Sequence, residues 1–100
     1  MFIHHVYFWL KAGTPAAAKD SLVADCRSLL NRIPGVEQLW AGTPAETSRD
    51  VVDNSYSVGL AVVFADAAAH DVYQKHALHL EFIERNKARW ERVRVYDFTG

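Results

Sequence analysis

The chain has 100 residues, half of them hydrophobic, and a formal net charge of −1. That length suits a single domain over residues 1–100 and is enough to bury a core without disulfides or metals. Dispersed charge of both signs argues against nucleic acid as a partner, no apolar run reaches the ~18 residues of a membrane span, and the lone Cys26 excludes an internal disulfide framework. The first residues read as a strand, without the basic start or cleavage site of a leader. A cytoplasmic location is therefore expected.

Phe2 to Leu10 (FIHHVYFWL) is rich in aromatic and β-branched residues, which predicts a strand. Period two divides it into Phe2, His4, Val6, Phe8 and Leu10 on one face and Ile3, His5, Tyr7 and Trp9 on the other. Both faces are largely apolar. Lys11-Ala12-Gly13 reads as a turn, and Thr14-Pro15 as N-cap and first residue of a helix. Leu22, Cys26, Leu29, Leu30 and Ile33 follow at helical spacing, until Pro34-Gly35 ends the element. Val36 to Gly42 predicts a second strand, the polar stretch 43–55 a loop, and Tyr56 to Phe64 a third strand.

Asp66 is placed to cap a short helix over about residues 67–75. A further helix is predicted from about His79 to Glu91, with the stripe His79, Phe82, Ile83, Asn86 and Trp90. Arg92 to Phe98 is the last strand, its Arg92 and Arg94 solubilising one side. The order β-α-β-β-α-β, with the second helix broken, is the α+β, ferredoxin-like arrangement: a four-stranded antiparallel sheet with helices on one face. The other apolar face would be a liability in a monomer, so a homodimer pairing two sheets is expected.

Two histidines and a tyrosine meet at the predicted helix break. His79 opens an apolar stripe, where it is either a general acid–base group or a core-edge residue bonded to backbone. Tyr73 can bond a ligand oxygen or simply pack. His76 and His79 are three apart, but the break between helices spoils a shared metal-binding face. No cysteine pair or HExxH pattern supports one, so neither a metal nor another cofactor is expected. Trp90 reads as core at the end of its stripe. Asp97 pairs with a local cation. His5 faces the pocket or a dimer interface, with His4 pointing the other way.

The runs His5-Val6-Tyr7-Phe8-Trp9-Leu10-Lys11, Ile33-Pro34-Gly35-Val36, Val63-Phe64-Ala65-Asp66, Tyr73 with His76-Ala77-Leu78-His79, and Val95-Tyr96-Asp97-Phe98 fall in order along the chain. In this set, which covers nearly the whole length, the sequence resembles the stress-responsive A/B barrel domain family. The resemblance implies a dimer whose two sheets face each other as a barrel. The family typically reads His-Pro-x-His at the break; the proline is missing here, which implies a softer break and a narrower pocket mouth. Most members have no assigned activity. A plant polyketide cyclase of the family closes a linear polyketide by an aldol reaction, and by position its catalytic histidine and tyrosine fall on His79 and Tyr73. Its strand-one histidine falls on His5, and its third-strand histidine on Val58, so that group is absent. His79 and Tyr73 are thus the catalytic candidates, with His5, His76, Tyr7 and Trp90 as substrate-binding candidates.

The combined expectation is a homodimeric domain binding a small apolar or aromatic molecule in a helix–sheet pocket. A cyclase-like lyase is the alternative, with His79 as general base. A cofactor-independent monooxygenase of dimeric barrel architecture is the third reading.

Overall fold

The apolar run Phe2–Leu10 forms the first strand, β1, in a computed structural model that describes residues 1–100. Helix α1 spans Ala17–Ser28, and a 3-10 turn follows at Leu30–Arg32. The helix starts later than Thr14-Pro15 suggests. The Thr14 hydroxyl donates to the Lys11 carbonyl at 2.6 Å, so it closes the preceding turn instead of capping. Ala16 takes the cap position with no side-chain bond. The predicted stripe is buried: Leu22, Cys26, Leu29, Leu30 and Ile33 are each at most 4% exposed. Burial, with Asp25 adding to it, pushes the Cys26 thiol up to about 12, so this cysteine packs as a small apolar group.

Gly35 turns the chain with φ +95°, a conformation that a side chain would strain. Strand β2 (Gln38–Gly42) pairs antiparallel with β3 (Val58–Phe64). No helix or strand lies between them. Helix α2 covers Ala67–Lys75 and α3 covers Ala77–Asn86. A 3-10 turn at Lys87–Arg89 leads into β4, Trp90–Thr99. The sheet order is β2-β3-β1-β4, antiparallel throughout, with all three helices on one side.

The helix side of the sheet carries Val6 and Phe8 of β1 and Val58, Leu60, Val62 and Phe64 of β3, all buried. They pack on Leu22, Cys26, Leu30, Tyr73 and Phe82 as one core. At roughly 25 cal/mol per Å² of apolar area, this layer is the main source of stability. The open side carries Trp40, Tyr96 and Phe98, each more than half exposed. Arg92 lies 4.6 Å from the Trp9 ring centroid as a cation–π pair, so it covers an aromatic ring as well as solubilising the strand.

The last helix ends earlier than its stripe suggests, at Asn86, and Trp90 is the first residue of β4. The β1–β4 register shifts here: Trp9 pairs with Arg92 but Leu10 pairs with Trp90, so Glu91 is the extra residue of a bulge. Strict alternation would place Trp90 on the open side with Arg92 and Arg94. The bulge returns it to the helix side, 5.0 Å from Phe8 and 6.0 Å from Phe82 between ring centroids.

Candidate functional site

Two local caps set the geometry of the helix junction. The Asp66 carboxylate accepts from the Ala69 N–H at 2.9 Å and fixes the start of α2. The chain then breaks at His76 (φ −67°, ψ 145°), whose Nδ1 accepts from the Leu78 N–H at 3.0 Å. The missing proline therefore does not soften the break, because the imidazole itself caps α3. That role places His76 outside the cavity described below and away from a shared face with His79. The substrate-contacting position expected of it is not formed, and the break keeps His76 and His79 off a shared face, as the spacing suggests.

Tyr73 lies in the last turn of α2 and His79 in the first turn of α3. Their rings meet edge to face, 4.8 Å between centroids. Both line a cavity of about 230 Å³ between α3 and the β1–β4 half of the sheet. Phe8, Phe82, Trp90 and Val95 supply apolar walls. Two buried polar atoms here have no hydrogen-bond partner within the protein, His79 Nδ1 and Trp90 Nε1. A buried group left unpaired costs roughly 1–3 kcal/mol, so native structures keep few of them. Both residues line one cavity.

Burial holds the His79 imidazole below its usual value of 6.5, and the neighbouring His4 and His70 lower it further. The ring is thus neutral at neutral pH and able to accept a proton. Burial raises the Tyr73 phenol well above its usual 10, so it serves as a hydrogen-bond donor and not as a base.

The sheet wall of this cavity is His4, not His5. His4 shares its side of β1 with Val6 and Phe8 and is 6% exposed. Its Nδ1 lies 2.5 Å from Asp97 Oδ1, its register partner on β4, in a charge-assisted contact. Donation from Nδ1–H leaves the lone pair on Nε2. His70 sits beside it, 4.6 Å between ring centroids, stacked on Phe2 at 4.4 Å. Burial, then the charge of His4, lowers His70 as well. Sequence reasoning missed His4, His70 and Asp97 as neighbours. The available signal was the pleat, which puts His4 on the face with the bulky core residues.

His5 and Tyr7 project from the opposite side of the sheet. They line open hollows of about 340 and 460 Å³ with Tyr56. His5 is 5.6 Å from Phe98 and 6.5 Å from Tyr7 between ring centroids. The expectation that His5 and Tyr7 share a pocket with His79 is corrected by this alternation. These hollows are larger than the helix-side cavity, but no buried polar atom is left unpaired in them. Of the candidates, His79, Tyr73 and Trp90 converge in one cavity.

No helix is long and apolar enough to cross a membrane. Comparison with curated protein sequences finds no match. Among solved structures, a family member from Mesorhizobium loti with a ferredoxin-like fold is 25% identical, with TM-score 0.80, 99% of this chain and 95% of that chain covered. A dimeric ferredoxin-like protein of unknown function from Thermobifida fusca superposes with TM-score 0.82 at 12% identity, over 99% of this chain and 90% of that one. A hydroxynitrile lyase from Passiflora edulis gives TM-score 0.79 at 20% identity, over 97% and 90% of the two chains. The model of the stress responsive A/B barrel domain matches residues 2–100, so the chain belongs to that family.

Proposed function

We propose that the helix-side cavity binds a small, largely apolar molecule, aromatic in character, that carries one oxygen acceptor. The observation that carries this reading is that Trp90 and His79, the two residues with an unpartnered buried nitrogen (Nε1 and Nδ1), both line one apolar cavity. Trp90 Nε1–H can only donate, so it suits a carbonyl or hydroxyl oxygen. The neutral His79 ring accepts from, or takes a proton from, an adjacent group. The volume of about 230 Å³ lies below the roughly 300–1,000 Å³ of drug-sized sites, which favours a ligand of one ring. Calorimetric titration with acetophenone tests the recognition. Binding by the parent chain and at least about tenfold weaker binding by Trp90→Phe are expected, in line with a lost buried hydrogen bond. Equal affinity in the two chains would overturn the reading.

A second reading is catalytic. His79 removes an acidic C–H proton next to a carbonyl, Tyr73 supports the imidazole edge, and Trp90 donates to the developing oxyanion. The 4.8 Å Tyr73–His79 ring contact and the free, neutral Nδ1 favour it. Lyase or cyclase chemistry fits this arrangement, and the resemblance to a hydroxynitrile lyase structure is compatible with it. Deuterium exchange into the methyl group of bound acetophenone separates the readings. Exchange that vanishes in His79→Gln supports catalysis, and no exchange above the buffer rate leaves binding alone.

The functional unit is proposed to be a homodimer joined through the open sheet face, as the T. fusca structure is described as dimeric. A cytoplasmic setting fits the unpaired Cys26.

A further inference from the structure

We propose that His4, His70 and Asp97 form a binding site for a divalent transition cation of the zinc type, distinct from the His79 position. The three residues come from different elements: β1, α2 and β4. Sheet register sets His4 directly against Asp97, and α2 lays His70 over His4. One potential ligand atom from each residue lies within 4.8 Å of the other two. A tetrahedral zinc site with bonds of about 2.0–2.2 Å holds its ligand atoms about 3.3 Å apart. With His4 Nδ1 as ligand, its proton shifts to Nε2 and the 2.5 Å contact with Asp97 opens by under ~1 Å, while separations of up to 4.8 Å close by at most about 1.5 Å. Side-chain rotation supplies movements of that size while the backbone stays in place.

The donor set selects the ion. Two imidazoles and one carboxylate suit zinc and its first-row neighbours, whereas magnesium and calcium take oxygen ligands. His4 and His70 are 6% and 5% exposed, and the Asp97 side chain is 33% exposed. The site is therefore walled on two sides and open on the third, which provides an entry path and room for a water or ligand at the fourth position. The Gln74 amide nitrogen lies 2.8 Å from His70 Nε2 and 3.2 Å from Nδ1, against the ring and in line with neither N–H. A change of its rotamer would be needed for the amide oxygen to accept from the ring N–H left after coordination. This cluster uses neither His76 nor His79, so it is unaffected by the break that separates those two.

Calorimetry with zinc chloride on chelator-treated protein, paired with visible absorption after cobalt(II) addition, tests the site. One zinc per chain is expected, together with the intense cobalt bands of a four-coordinate site. Asp97→Asn and His70→Gln should each weaken binding by about 10–100-fold, and His79→Gln should leave it unchanged. Magnesium at the same concentration should not compete. His70→Gln removes a ring stacked on Phe2 and can loosen the fold; Asp97→Asn, at a partly exposed position, tests the same ligand set without that risk, with circular dichroism to verify folding. Absence of zinc binding, binding insensitive to Asp97→Asn, or loss of binding in His79→Gln would each overturn the proposal. None of these outcomes touches the acetophenone test, which reads Trp90.

Discussion

His79 is the residue at which the architectural and the proposed functional readings predict different outcomes. Its Nδ1 has no partner in the protein, so replacing the ring forfeits no internal hydrogen bond there. His79→Gln should move the thermal midpoint by less than about 4 °C, the shift expected of 1 kcal/mol in a domain of this size. A drop beyond about 8 °C in a calorimetric scan would make His79 an architectural residue. His76 shows the reverse. Its Nδ1 holds the first turn of α3, so His76→Ala should cost about 1 kcal/mol and lower the midpoint by about 4–8 °C. Protonation also enters at this scale. His70 and His79 are both held below 6.5 in the fold, chiefly by burial. The unfolded chain, with ordinary histidines, takes up protons first as pH falls. Their contribution to stability is complete above the unfolded value of 6.5 and is lost as pH falls through the lower folded values. Urea midpoints should therefore fall between about pH 7.5 and pH 5, and His79→Gln should reduce that fall. A midpoint that rises over the same range would contradict the assignment.

The strands and the helices α1 and α2 are legible in the sequence because their signals are local, although the late start of α1 and the 3-10 turn after it are not. Asp66 caps α2 as its side chain predicts, and the Leu22–Cys26–Leu29 spacing leads into the core. The end of α3 is not legible. Lys87-Ala88-Arg89 contains no helix breaker, and Trp90 extends the stripe of Asn86 by one helical turn. Strand pairing with Leu10 overrides that pattern. The Glu91 bulge is equally hidden, since it depends on a partner strand 80 residues away. The choice between His4 and His5 fails for a different reason. Both faces of β1 are apolar, and only the helices decide which is inside. Deleting Glu91 tests the role of the bulge. Restored alternation should turn Trp90 to the open side, shift its fluorescence to longer wavelength and abolish acetophenone binding, while the far-ultraviolet spectrum stays folded. A retained cavity and unaltered emission would contradict it.

For the molecule as a whole, the open sheet face is the unfinished part. Trp40, Tyr96 and Phe98 stand more than half exposed around His5 and Tyr7. Contiguous apolar patches of this kind mark interaction surfaces. Sedimentation at micromolar concentration should give about twice the 11.3 kDa chain mass, with a total buried area above ~1,200 Å². Phe98→Asp combined with Tyr96→Asp should yield a monomer. A parent chain sedimenting as a folded monomer would remove the dimer from the account. In that dimer each helix-side cavity remains on the outer layer, so ligand binding should survive the monomerising substitutions.

The most direct test of the cavity reading follows the indole N–H resonances of Trp9, Trp40 and Trp90 by NMR during acetophenone titration. Trp90 Nε1–H is buried without a partner in the protein, whereas Trp9 Nε1–H already donates to Ser55 at 3.0 Å and Trp40 lies on the open face. The account predicts a saturable downfield movement of the Trp90 resonance, with those of Trp9 and Trp40 nearly still. Movement confined to Trp9 or Trp40, with Trp90 unchanged at saturation, would place the ligand on the other side of the sheet and contradict it.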